Sequence, residues 1–281
     1  MTSSGSAAGL GLLSAASWGG ADFIGGAGSR RAPALLVVVS GDFVSLLLLL
    51  SICWRMRLAV PGTHDLLCAV LAGAVGALAL TVFYRALSMG SMGLTAALTG
   101  LLTALVPVLY SIARFGLPGM LTVLGLATGC AAIWLITRTP SAGGAGTPAK
   151  ALLMGSLAGL GFGLQLILFK MASGGGVLWA MTASRVAAVA ALLVFLAAMP
   201  PKRPWRNFWL TGIAAGLLDT TGTLLYMGTA LLGRLDVAAV ICSLYPAGTI
   251  LLAALVLREW PTKRQMAGMA LALGAVMLLS V

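Results

Sequence analysis

Residues 242–261 read CSLYPAGTILLAALVLREWP. An apolar run of helical length is interrupted near its start by Tyr245-Pro246 and closed by Arg258-Glu259 and Pro261. A proline inside a helix removes one i→i−4 hydrogen bond and clashes with the preceding turn, at a cost of about 3 kcal/mol in water. Such a break asks for a physical reason, and the rest of the chain supplies the setting.

Of the 281 residues, 60% are hydrophobic and 8% are charged, against roughly 25% charged in a soluble domain. That inventory excludes a water-soluble fold. Apolar stretches of about 20 residues recur along the whole length, each long enough to cross about 30 Å of hydrocarbon. The class is an all-α polytopic membrane protein. Ten spans are expected at roughly 7–28, 33–53, 65–87, 92–113, 119–137, 150–171, 177–198, 207–230, 235–257 and 265–281. The first does not read as a secretory signal, because no basic residue precedes it and it is long and glycine-rich. The least apolar interior segment, RTPSAGGAGTPAK (138–150), falls at mid-chain. It reads as a linker over 138–149 between a first unit, 1–137, and a second, 150–281.

The two units resemble each other. Gly155, Gly159 and Gly163 form a GxxxGxxxG row on the sixth span, and Gly11, Ala15 and Gly19 stand 144 residues earlier on the first. At the same offset Trp18 meets Phe162 and Ser40 meets Ser184. TVFY (81–84) meets TLLY (223–226) at an offset of 142, Pro107 meets Pro246 at 139, and Pro118 meets Pro261 at 143. Five spans per unit is an odd number, so the second copy runs the opposite way across the bilayer. Inverted repeats are a signature of secondary transporters, whose substrate site lies at the repeat interface. Pro107 and Pro246 then occupy matching places in the fourth and ninth spans, where a bent helix lines a cavity and flexes as a hinge. The plainer reading is a pair of kinks without function, since Pro is commoner in membrane helices than in soluble ones.

Residues 243–279, SLYPAGTILLAALVLREWPTKRQMAGMALALGAVMLL, carry a family resemblance. A proline in the ninth span, an Arg/Glu step, a Gln and a Gly-rich tenth span resemble the ending of EamA-type drug/metabolite transporters. The likeness extends over nearly the whole chain and is strongest from Tyr226 to Val281. The first unit departs from the pattern, with RFGLP (114–118) placing Gly116 where Glu259 stands. Within the superfamily the nearest branch is that of the YddG-like amino-acid exporters. The resemblance implies that spans one, three, four, six, eight and nine surround a central cavity, with the fifth and tenth outside it.

The chemistry of that cavity rests on few residues. Asp22, Asp42 and Asp219 are the carboxylates inside spans, and Arg185 is the one guanidinium near mid-membrane. A charge at the bilayer centre costs at least about 2.5–3.5 kcal/mol on insertion scales, so each is expected to face a wet cavity or a partner. Asp219, Thr223 and Tyr226 share a face of the eighth span at i, i+4 and i+7, as Ala77, Thr81 and Tyr84 do on the third. Trp18 and Asp22 share a face of the first span, and Phe162 and Gln165 nearly share one on the sixth. With Tyr245 this set forms a lining of aromatics and hydroxyls around one or two acids, suited to organic ligands with flat parts or a positive charge. Asp219, with no opposite charge on its own span, reads as an isolated acid whose charged form is disfavoured. That makes it a candidate to exchange protons or to meet a ligand ammonium.

Structural alternatives stand beside these readings. Arg185 and Asp42 lie at equivalent depth, so they read equally as a substrate contact or as an ion pair joining the two units. Asp22 reads equally as interfacial, and Tyr84 and Tyr226 as packing residues. The glycine rows are most simply faces that let helix backbones approach. Trp54, Trp205, Trp209 and Trp260 read as interfacial anchors.

The chain lacks GxxxxGK[ST], the phosphate cradle of ATP-driven pumps. Cys53, Cys68, Cys130 and Cys242 have no metal or redox spacing, and His64 is the single histidine. No enzyme, cofactor or metal centre is expected. The net charge of +11 is a topology signal and not a nucleic-acid footprint. Loops after the first, third, fifth, seventh and ninth spans carry Arg30, Arg31, Arg85, Arg138, Lys150, Lys202, Arg203, Arg206, Arg258, Lys263 and Arg264. The others carry Arg55, Arg57, Arg114, Lys170 and Arg234. Eleven against five places the first set in the cytoplasm and both termini outside; the family resemblance implies cytoplasmic termini.

The functional expectation is an exporter in the plasma (inner) membrane that moves small metabolites by alternating access. Amino acids, aromatic ones included, are the first cargo. Proton-coupled export of lipophilic cations is the second reading, and a passive channel or lipid-moving protein the third. The expected partners are a small-molecule substrate, the bilayer and protons as a coupling ion, and nothing in the pattern requires more than one copy.

Overall fold

In hydrocarbon there is no water to satisfy a peptide group, so a spanning segment closes its hydrogen bonds within itself as a helix. The described spanning segments obey this. A computed structural model describes residues 2–57, 61–116, 119–138, 147–172, 176–198, 200, 208–232 and 245–279. It is all-α, with α1 (Thr2–Gly28), α2 (Ala34–Met56), α3 (Thr63–Leu87), α4 (Met92–Phe115) and α5 (Met120–Arg138) in the first half. The second half holds α6 (Ala149–Met171), α7 (Val177–Ala198), α8 (Phe208–Leu232), α9 (Tyr245–Val256) and α10 (Lys263–Leu279). Among the described residues α2, α3, α4, α6 and α7 are long and apolar enough to cross a membrane on their own. Most helix ends fall within a few residues of the expected spans. The linker residues 139–146, positions 235–244 of the expected ninth span, Trp205 and Cys242 lie outside the described residues.

The two halves interlock by exchange. α1 packs along α8 and α9 of the other half, and α6 packs along α3 and α4. α2 lies against α8 and α7, while α7 lies against α3 and α2. α5 and α10 pair with each other at the side of the bundle, with α10 also touching α4. Each half therefore completes its neighbour's core.

Lipid tails are as apolar as leucine, so helices in a membrane gain from close fit and not from hiding grease. The side chains are sorted accordingly. The interior is built of small and hydroxylated residues such as Ala15, Ala69, Ala96, Thr95, Thr99, Ser14 and Ser45, whereas Leu47, Leu71, Leu153, Leu157, Leu251 and Leu255 point outward. Trp54, Trp209 and Trp260 are exposed near helix ends, as anchors in the interface should be.

The glycine rows are contact faces. A Cβ on Gly159 would lie 2.6 Å from the Thr99 carbonyl oxygen and 2.8 Å from Leu102 Cβ, so α6 rides directly on α4. The related crossing is α1 on α9, where a Cβ on Gly19 would lie 2.7 Å from the Tyr245 oxygen and 2.9 Å from Gly248 Cα. Each crossing carries a hydroxyl-to-carbonyl bond: Thr99 Oγ donates to Gly155 at 2.9 Å, and Thr249 Oγ donates to Gly19 at 3.2 Å. The matched serines also behave alike, with Ser40 set against Gly212 and Ser184 against Gly73.

Overpacking a close-fitted site costs about 1–3 kcal/mol. Gly159→Leu should therefore lower the thermal midpoint of the purified protein in detergent. Gly274→Leu, at a position with nothing within 4 Å of the added carbon, should leave it near the wild-type value.

Candidate functional site

Three helices bring three charges together. Arg185 on α7 donates through one Nη to Asp42 on α2 and through the other to Asp219 on α8. The sites are brought close by glycine: Gly41 on α2 meets the backbone of Gly212 and Gly216 on α8, with no side chain between. Ser45 and Thr220 extend the contact, both donating to the Gly216 carbonyl, at 3.1 and 2.8 Å. The Asp42 side chain is 3% exposed, Arg185 18% and Asp219 30%. Asp42 is thus the sealed end of the triad and Asp219 its open end.

This overturns the expectation of an isolated Asp219. Its own helix offers no counter-charge, but α7 supplies one, because a buried acid and a guanidinium two helices apart lose less as a pair than alone. The pairing of Arg185 with Asp42 across the two halves is present as the structural reading anticipated. A consequence is that Arg185, expected as a donor to a substrate carboxylate, has both arms engaged.

The fourth charge is placed differently. Asp22 on α1 is half-buried and forms no hydrogen bond or ion pair with any described residue. It lies within electrostatic reach of Asp219, Tyr84 and Tyr245. One turn earlier on the same face, Trp18 donates Nε1–H to Thr223 Oγ at 3.3 Å. The Trp18 ring stands 5.9 Å from that of Tyr226 and 6.2 Å, edge to face, from that of Tyr245. Gly222 makes this possible, since a Cβ there would press on the indole at 2.8 Å. The Tyr245 hydroxyl reaches α4, where a Cβ on Gly100 would lie 3.4 Å from it. Trp18, Thr223, Tyr226 and Tyr245 are therefore one cluster, with Asp22 and then the triad beside it.

Other expected residues make their described contacts outside the Trp18 cluster. Tyr84 is buried against Gly25 of α1 and donates to the Ala21 carbonyl at 3.3 Å. Thr81 spends its hydroxyl on the Ala77 carbonyl at 2.8 Å. Phe162 stacks edge to face on Phe83 at 5.8 Å, and Gln165 rests against Gly76. Tyr84 ties α3 to α1, and Phe162 and Gln165 tie it to α6; no described contact joins Phe162 or Gln165 to the Trp18 cluster. Pro246 is buried against Gly100 of α4, where a Cβ would lie 2.8 Å from its ring. Pro107 lies inside α4, and the helix changes character around it: Met92–Leu101 are buried, residues 102–108 half-buried, and Leu109 and Tyr110 exposed.

Sequence reasoning missed Glu259 as a contact residue. Its carboxylate accepts from Arg30 and from the Met92 amide, the latter at 2.9 Å. The only hint in the sequence was an acid in a chain with 6 acidic residues in all.

Removing one partner of a buried ion pair costs about 3–5 kcal/mol, because the other charge is left uncompensated. Arg185→Leu should strongly lower the thermal midpoint in detergent, and adding Asp42→Asn should recover part of the loss. Failure to recover would place the cost of Arg185→Leu somewhere other than the stranded carboxylate.

Comparison with known proteins follows the fold. A solved crystal structure aligns with 98% of this chain and 97% of its own length at a TM-score of 0.66 and 15% identity, a likeness of fold alone. No curated protein matches the chain. The model of the EamA-like transporter family matches residues 149–281, which is narrower than the resemblance expected over nearly the whole chain. From α6 to its last residue the chain is similar to EamA-like transporters, and that match points to a polytopic membrane transporter of small molecules.

Proposed function

We propose that the protein is a secondary transporter of the plasma membrane that carries small organic solutes by alternating access between its two halves, and that its cargo bears a protonated amine. The observation that carries this reading is Asp22, a half-buried carboxylate without a partner among the described residues, set beside Trp18, Tyr226 and Tyr245. An unpaired charge at this depth is costly unless it meets a ligand or water. Aromatic faces add attraction for a cation of about 0.5–2 kcal/mol and accept a flat organic body. The charges support the same sign: Asp22, Asp42 and Asp219 set against Arg185 leave the site with an excess of two negative charges. A cation entering such a site replaces the proton or water that held Asp22 before, which gives protons a role as coupling ion.

Lipophilic amines and cations satisfy this arrangement directly. Amino acids, the first expectation from the sequence, need a donor for the carboxylate as well, and one feature favours them as a second reading. Arg185 holds Asp219 at the open end of the triad, so a substrate carboxylate entering there would exchange with Asp219 while Asp42 stays paired. The hinge reading of Pro107 and Pro246 fits either cargo, since the two prolines lie on α4 and α9, which pack against each other.

Proteoliposome counterflow tests the proposal with three labelled probes: phenylethylamine, phenylalanine and tetraphenylphosphonium. Saturable counterflow is expected for the amine, with tetraphenylphosphonium following if positive charge alone is recognised, whereas a channel or lipid-moving protein shows none. Asp22→Asn should weaken both by about tenfold or more, equivalent to about 1.4 kcal/mol or above. Undiminished counterflow in Asp22→Asn would remove the basis of the reading.

The hinges are tested separately. Pro246→Ala and Pro107→Ala should keep the thermal midpoint close to wild type while slowing exchange several-fold, since motions of such elements often limit turnover. Wild-type rates in both variants would make the prolines mere kinks.

A further inference from the structure

Beyond the cargo site, Glu259 sits where four chain segments meet. It follows α9, whose last described helical residue is Val256, and precedes α10. One carboxylate oxygen accepts from Arg30, in the turn after α1; the other accepts from the Met92 amide, the first peptide of α4, at 2.9 Å. Arg30 in turn reaches the Gly90 carbonyl at 3.5 Å, and Ser91 N donates to Thr147 Oγ at 3.0 Å, just before α6. The ion pair therefore joins the first half to the second at one end of the bundle. A carboxylate facing the free amides at a helix N-terminus also meets the positive end of the helix dipole, which adds to the attraction of the guanidinium.

Directly beneath lies an apolar plug. A Cβ on Gly26 would meet Leu87 and Met92 within 3.1 Å, and both of those side chains are fully buried. Leu87 and Met92 belong to one core cluster with Tyr84 and Ala253, so α1, α3, α4 and α9 are drawn together there. The opposite end differs. α4 loosens beyond Leu101, and at the place matching Glu259 stands Gly116, with φ of 95° and nothing within 4 Å of an added Cβ. One end of the cavity carries an ion pair over a plug, and the other end has no acid in the matching position.

We propose that Glu259, Arg30 and the first peptide of α4 form the latch that holds this end of the cavity shut, and that admitting solute from this side requires the pair to break. The inference rests on the alternating-access reading. It gives that cycle an asymmetry: this closed state is held by a specific polar lock, and the matching position at the other end, Gly116, carries no acid. Arg30 is 32% exposed and Glu259 22%, so water can replace each partner when the latch parts. A lock of this kind opens without stranding a charge in hydrocarbon.

Thiol labelling reads the latch without any substrate, so it can fail while counterflow succeeds, and the reverse. In a background with Cys53, Cys68, Cys130 and Cys242 replaced by serine, two reporters are introduced singly. Leu87→Cys reports on the plug, and Thr103→Cys reports on the half-buried stretch of α4 that follows Leu101. A membrane-impermeant maleimide is applied to the full chain in detergent and in liposomes. Glu259→Gln should raise the labelling rate at position 87 at least threefold and lower that at position 103. Arg30→Gln breaks the same pair from the other side and should act alike, which keeps the test available if either variant folds poorly. An unchanged rate at position 87 overturns the latch. A rise at 87 without a fall at 103 also overturns it, because the pair would then be a local staple and not a gate.

Discussion

Everything in the centre of this molecule depends on Arg185 holding Asp42 and Asp219 at once. Three charged side chains from three helices enter the bilayer, and none is tolerable alone. Together they leave one net negative charge, and the guanidinium fork has the planar geometry to serve two carboxylates in different directions. The bond spans both halves, since α2 belongs to the first and α7 and α8 to the second. Two halves that share no covalent link except the mid-chain connection are thereby held together near the middle of the bundle. The graded exposure of the triad makes Asp42 a structural anchor and leaves Asp219 available to change partner.

Around that centre, the scaffold is symmetric and the chemistry is not. Small residues repeat on α1 and α6, hydroxyl-to-carbonyl bonds repeat at both crossings, and Ser40 and Ser184 each meet a glycine. The charges do not repeat. By the offsets that align the halves, Gly41 matches Arg185, Val186 matches Asp42, Ala77 matches Asp219 and Leu166 matches Asp22. Helix backbones in lipid associate through close fit, which duplicated glycines and alanines provide equally well in both orientations. A binding site for an unsymmetrical solute gains nothing from a second copy of its charges. A second set of buried ions would cost insertion energy with no cargo to offset it. The Glu259–Gly116 difference at the two ends follows the same rule.

The aromatic cluster shows how a site is assembled from elements that separately have other reasons to exist. Trp18 needs Gly222 to lie flat on α8, and Tyr245 lies between Trp18 and Gly100 of α4. Those contacts hold the rings by packing, and the bond from Trp18 to Thr223 fixes the indole. Asp22 is carried on the same helix face as Trp18, one turn on, and needs no further support to be placed beside them.

The sequence alone determined the class, the ten segments and their division into two halves, because hydrocarbon permits few spanning structures and a 20-residue apolar run is hard to mistake. It also determined that Asp219, Thr223 and Tyr226 share one face of their helix and that Trp18 and Asp22 share one face of theirs, since residues at i, i+4 and i+7 of a helix share a face whatever surrounds it. The glycine rows announced close contacts without naming what they touch. Which helix faces which was decided only by the tertiary structure. Arg185 lies 34 residues from Asp219 and 143 from Asp42, and helical periodicity says nothing about partners on other helices. For that reason Asp219 looked isolated along its own helix and proved paired across the bundle. Phe162 and Gln165, alike in pattern to Trp18 and Asp22, pack instead on Phe83 and Gly76, because α6 faces α3 where α1 faces α8. The partner of Glu259 was beyond sequence reasoning for the same reason: a short, partly exposed acid in a loop acquires its role from the two other segments that the fold happens to bring within hydrogen-bonding distance.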